Sequence, residues 1–148
     1  MTTDTFADFA ASQEARKETT DLVLTYTHAL CEALEKNYIE FSIRAHQRSL
    51  ESKDDDYGYH DARIRALKQG MSDYEFTIET GRKYHKIVMN TRGSRSAHAF
   101  VDKKTGEMYK TASWKAPAKG VRYNLLNEKD REWLFQYADW ASSYLYRN

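Results

Sequence analysis

The chain has 148 residues, 41% of them hydrophobic and 30% charged, enough apolar material for the core of one ordinary domain. A mean hydropathy of -0.85 and the lack of any apolar run near the ~18 residues of a spanning helix exclude a helical membrane protein. Net charge is +1, and a single cysteine, Cys31, rules out an internal disulfide or a CxxC zinc site and fits a reducing compartment.

The opening "MTTDTFADFA" has no basic stretch followed by an apolar one, so no secretory leader is expected. Phe6, Phe9 and Ala10 keep a helical step, with Thr3 or Asp4 able to cap it. From Asp21 to Ser49, Leu22, Tyr26, Ala29, Leu30, Ala33, Leu34, Phe41 and Ala45 recur at three- and four-residue spacing, which predicts an amphipathic helix with one buried stripe. Glu32 and Lys36 are spaced for an ion pair on its wet face. "SKDDDYG" (52–58) breaks the pattern, and a short helix over Tyr59–Gln69 ends at Gly70.

The period then changes from helix to strand. Tyr74, Phe76 and Ile78 alternate with Glu75, Thr77 and Glu79, which predicts a half-buried strand. Further strands are expected over Tyr84–Asn90, Ala97–Val101 and Met108–Ala112, with "DKKTG" as a hairpin loop closing on a left-handed glycine. Asn127 caps a last helix whose stripe is Leu134, Tyr137, Ala138, Ala141, Tyr144 and Leu145. The expected fold is α+β: a helical N-terminal half, an antiparallel meander of three or four strands and a C-terminal helix, with the helices on one face of the sheet. One domain over 1–148 is expected, with a helical part at 1–70, the sheet at 73–113 and the helix at 127–146.

Catalytic signatures are missing: the sequence has no P-loop, GxGxxG, HExxH or nucleophile elbow. His28 and His46 lie 18 residues apart on one predicted helix, roughly 27 Å at the usual rise, too far to share an ion. His85 and His98 fall on successive strands, where cross-strand neighbours would make a metal or acid–base pair conceivable, although sheet-surface histidines are the simpler reading. "DDDYGYHD" lacks the spaced ligands of a calcium loop. Cys31 reads as a small core residue. No cofactor, no metal and no catalytic residue is expected, and the balance favours a non-enzymatic protein.

The charge distribution is more informative. Residues 1–60 carry twelve acids and six bases, whereas residues 82–122 carry eleven bases against Asp102 and Glu107, a surplus of nine. A split of this kind points to an anionic partner for the middle segment, or to helices that neutralise it within the fold. On the second strand Arg82, Tyr84 and Lys86 share one face as cation, aromatic, cation. "KTASWKAPAKGVRY" adds Lys110, Trp114, Lys115, Lys119, Arg122 and Tyr123, with Pro117 expected to hold "KAPAKG" extended. Arg92 and Arg95 complete the candidate set. Cations interleaved with rings suit a single-stranded nucleic acid. The bland alternative has Trp114 and Tyr123 filling the core while the lysines solvate a loop. A protein-interaction module is the second reading, carried by the aromatic-rich last helix (Trp133, Phe135, Trp140, Tyr144, Tyr146) and by the acidic and basic faces of the two halves.

"GRKYHKIVMN", "SRSAHAFVDKKTGEMYKTASWKAPAKGVRYNLL" and "DWASSYLY" resemble a group of small uncharacterised proteins of tailed bacteriophages, which share GRKY, a strand, an SRS turn, FVDxxTG and KAASWKAPAKG. The resemblance covers roughly Gly81 to Leu126, and Thr111 stands where the pattern has Ala. It implies an origin rather than an activity. The expectation is action in the host bacterial cytoplasm, or in the virion, with nucleic acid, a host protein or a second copy as partner and no membrane.

Overall fold

A computed structural model describes residues 5–52 and 58–146. Helix α1 spans Phe6–Glu51 without interruption, roughly 69 Å at the usual rise. No Pro or Gly lies within it, so nothing separates the first turns from the amphipathic stretch that follows. Thr5 caps it: its hydroxyl accepts from the Asp8 N–H at 3.1 Å and the Asp8 carboxylate accepts from the Thr5 N–H at 3.3 Å. The expected caps, Thr3 and Asp4, lie outside the described residues.

The buried stripe of α1 is Val23, Thr27, Leu30, Cys31, Leu34 and Ser42. It is rotated from the expected one, for Leu22 and Phe41 are 45% and 40% exposed. Thr27, buried without strain, donates its hydroxyl proton to the Val23 carbonyl at 2.7 Å. On the wet face Lys36 pairs with Glu40 rather than Glu32. Helix α2 (Tyr59–Lys68) buries Ile64 and Leu67, and the chain reverses at Gly70. Most of the acidic loop, residues 53–57, lies outside the described residues.

The sheet is a five-stranded antiparallel meander: β1 Tyr74–Thr80, β2 Tyr84–Thr91, β3 Ser94–Asp102, β4 Glu107–Tyr109 and β5 Tyr123–Asn124, paired in chain order. The β2–β3 turn is Arg92-Gly93 with φ of 46° and 85°, the two-residue form whose twist suits a hairpin. Gly106 closes the β3–β4 turn at φ 77°, where a Cβ would meet Asn124 and Leu126 at 3.0 Å. The fourth strand is shorter than expected, and the two-residue β5 adds a strand that periodicity could not reveal.

Helix α3 covers Glu128–Tyr137, not 127–146. Asn127 caps it by accepting from the Asp130 N–H at 3.0 Å. Ala138 is extended, and Asp139 then accepts from the Ser143 hydroxyl and the Tyr144 N–H. That carboxylate turns the chain into a 3-10 segment, Ser143–Tyr146, which buries Tyr144 and Leu145. Tyr137 and Ala141 of the expected stripe face solvent. α1, β1 to β4, α3 and the last turn share one hydrophobic core. Asn37 accepts from the Trp140 N–H at 2.9 Å and Glu35 from the Phe76 N–H at 2.9 Å, tying the long helix to both ends of the fold. No helix among the described residues is long and apolar enough to cross a membrane.

Candidate nucleic-acid interface

Strand alternation gives the sheet two unlike faces. Towards α1 point Phe76, Ile87, Ala99, Val101 and Met108 of the shared core. The opposite face carries Glu79, Tyr84, Lys86, Phe100 and Tyr109, with Glu79 opposite Lys86, Lys86 opposite Phe100 and Phe100 opposite Tyr109. Pairing passes from Ile87–Ala99 to Val88–Ala97, leaving His98 as the extra residue of a bulge. His85 faces Val101, so the two histidines are not cross-strand neighbours, and both are buried rather than on the sheet surface, the simpler reading of the sequence.

Each of these histidines finds another partner. The His98 Nε2 lies 2.7 Å from the Tyr144 hydroxyl, and burial lowers its pKa to about 4. His85 Nδ1 lies 2.9 Å from the Thr80 hydroxyl, and its pKa is lowered by burial and by Lys103. Cys31 is buried in the core, and burial pushes its thiol up to about 12, which leaves it protonated. His46 and His60, which the sequence did not bring together, meet with their Nδ1 atoms 2.7 Å apart. No group of three metal-ligating side chains occurs among the described residues.

The expected cations fall into two sets. Lys86 lies 3.7 Å from the Glu79 carboxylate and 3.7 Å over the Trp114 ring, with its side chain 14% exposed. Arg95 also pairs with Glu79 and stands 5.3 Å over the Trp114 ring, and this pairing holds the Glu79 carboxyl below the usual range. Arg92 pairs with Asp73 at 3.1 Å. These carboxylates come from β1 and the residue before it, not from the helices. Among the described residues, Arg82, Lys110, Lys115 and Lys119 have no carboxylate at ion-pair distance, and Lys110 lies 4.9 Å over the Tyr146 ring. Arg122 is half-buried.

The two expected rings also differ. Trp114, 38% exposed, sits on a small closed loop over the outer face. Ala112 and Ser113 N–H both donate to the Ala116 carbonyl, Ala118 N–H donates to Lys110, and Thr111 stands opposite Pro117. Pro117 thus closes a hairpin rather than holding an extended strip, and Lys115 is carried at its tip. Tyr123 packs inward, donating its hydroxyl proton to the Tyr144 carbonyl at 2.9 Å and stacking on Trp133. Tyr84, the ring expected between Arg82 and Lys86, is half-buried and edge-on to Phe100 and Tyr109 at 5.9 Å.

Between the β1–β2 turn and the Trp114 loop lies a depression of about 360 Å³ lined by Arg82, Lys83, Tyr84, Lys86, Lys115 and Glu79, among others. Four cations there meet one carboxylate, which Lys86 and Arg95 already occupy. Over residues 6–147 the chain matches the family described as a family of unknown function (DUF7717). It belongs to that family. The match includes α1 as well as the sheet. No curated protein and no solved structure matches the chain.

Proposed function

We propose that this member of the family is a non-enzymatic, phage-type accessory protein that binds single-stranded nucleic acid on the outer face of its sheet. The observation that carries the reading is the depression by the Trp114 loop, where Arg82, Lys83 and Lys115 are left without carboxylates beside the half-buried Tyr84 ring, with the 38% exposed Trp114 next to Lys115 on the loop. Phosphates of a flexible strand would meet the cations, while bases would stack on the rings at about 1–3 kcal/mol each. Lys86 and Arg95 serve here by holding Trp114 in place through its π face. Tyr123 belongs to the packing and Lys110 to the Tyr146 ring, while Lys119 extends the positive rim. The phage-type motif supports action in the host bacterial cytoplasm or the virion.

The test is Lys115→Glu with Lys119→Glu, both on exposed positions. Affinity for a labelled oligo-dT of roughly twelve nucleotides should fall at least about tenfold, which is about 1.4 kcal/mol, with an unchanged circular dichroism spectrum. Undiminished affinity in a folded double variant would remove the reading.

A second reading, association with a protein partner, is favoured by a separate observation. Phe6 and Phe9, 86% and 57% exposed, stand on the first turns of α1, where exposed rings are candidates for contact. Of the aromatic C-terminal segment, Tyr144 is buried and Trp133 and Trp140 pack on the core, leaving Phe135 and Tyr146 outermost. Size-exclusion chromatography of Phe6→Ser with Phe9→Ser separates the two: loss of a discrete oligomer, without change in oligonucleotide binding, supports this reading.

A further inference from the structure

On α1 the stripe that packs on the sheet from Val23 onward continues toward the N-terminus as Thr20, Thr19, Arg16, Ala15 and Ser12. The change from apolar to small and cationic side chains occurs where the sheet gives way to its hairpin ends. Two adjoining clefts lie there, of about 530 and 410 Å³, sharing Thr20 and Lys104. One is walled by Ser12, Arg16 and Thr19, the other by Arg82, Lys83, Asp102 and Lys103.

Five cations from three elements therefore converge: Arg16, Arg82, Lys83, Lys103 and Lys104. None has a carboxylate at ion-pair distance among the described residues. The one acid in the lining, Asp102, is 8% exposed and its Oδ1 accepts from the Lys104 and Thr105 N–H groups, so it shapes the turn. The two hairpin ends are locked to each other, because Lys103 N–H donates to the Lys83 carbonyl at 3.0 Å and Lys103 Nζ to the Gly81 carbonyl at 3.0 Å. Like charges held together on a rigid frame repel, and an anion of matching charge relieves that repulsion without further ordering. Thr19 and Thr20 donate their protons to the Ala15 and Arg16 carbonyls, which leaves the cations to make the contact.

We infer that the cleft between the N-terminal third of α1 and the two hairpin ends binds a run of clustered phosphates. Arg82 and Lys83 line both this cleft and the outer-face depression, so a nucleic-acid strand bound there continues round the end of the sheet; this last point rests on the proposed function, whereas the phosphate site does not.

The full chain is titrated with inorganic triphosphate and followed by amide NMR shifts, beside the Arg16→Ala, Lys104→Ala double variant. Saturable shifts at Thr20, Lys83 and Lys104 are expected, lost in a double variant whose thermal melt is unchanged. The oligo-dT probe is then applied to both proteins, and the logarithmic salt slope of the variant should be shallower by about 1.4, at ~0.7 per phosphate contact on a single strand. Triphosphate binding without oligonucleotide binding would keep the cleft and discard the nucleic-acid reading. Oligonucleotide binding with an unaltered slope would overturn the shared path. No saturable triphosphate shift, or shifts the double variant retains, would overturn the cleft itself.

Discussion

The two faces of the sheet handle charge in opposite ways. On the inner face polar groups are buried singly and neutral, as with His98 against Tyr144 and Thr27 against the Val23 carbonyl. On the outer face whole charges remain, grouped about Glu79 and Trp114, and thinning outward to unpaired lysines at the rim. Burial under α1 explains the difference: a group under the helix is cut off from water and kept neutral, whereas Lys86 under the Trp114 loop is paired with Glu79 and the cations beyond the loop stay in water. The inner face thus holds the fold together, and the cations without carboxylates lie at the rim of the outer face.

Replacing Leu34, fully buried in the shared core, by Ala should be the most damaging single change, costing about 2–5 kcal/mol in thermal or urea unfolding. A loss below about 1 kcal/mol would mean that α1 and the sheet do not share a core. Acid should come next. His98 stays neutral in the folded chain down to about pH 4, while in the unfolded chain it takes up a proton near pH 6.5. Unfolding therefore binds a proton through that window, and stability falls as pH drops from about 6.5 to about 4, by roughly 3 kcal/mol for this group. The His98→Gln variant should show a flatter dependence in urea titrations across that range; a curve as steep as the parent's would place the effect elsewhere.

Trp114→Ala should cost less, about 1 kcal/mol, since it removes ring contacts with Lys86 and Arg95 in the usual cation–π range. It should weaken oligonucleotide binding by more than it weakens the fold. Smallest on stability is Glu79→Gln, because this carboxylate lies at the surface, where an ion pair adds little. That change frees two cations and should raise affinity for the strand, so weaker binding would contradict the place given to Glu79.

Much of the fold is legible where a local rule acts alone. The alternation of Tyr74, Phe76 and Ile78, the glycine at 106 and the Asn127 cap each fix a local conformation without help from elsewhere. The C-terminal boundary is hidden because Ala138, Tyr144 and Leu145 keep helical spacing while Asp139 captures the N–H and hydroxyl that bend the chain. Strand β5 is too short to have a period, and the bulge at His98 shows only once two strands are aligned. The site is legible in its residue types but not its pairing. Counting eleven bases cannot reveal that β1 places Glu79 opposite Lys86, although a two-residue turn at Arg82-Lys83, with Gly81 opposite Tyr84, would have given that register. Lys83, Lys103 and Lys104 acquire meaning from the meeting of two turns distant in sequence, together with an arginine on α1.

The most direct test of an anion-binding outer face is the affinity of the unaltered protein for single-stranded oligo-dT between about 50 and about 200 mM salt. Three or four phosphate contacts predict a logarithmic slope of about -2 to -3, at ~0.7 per contact. A slope near zero, or no saturable binding at the lowest salt, would contradict the account.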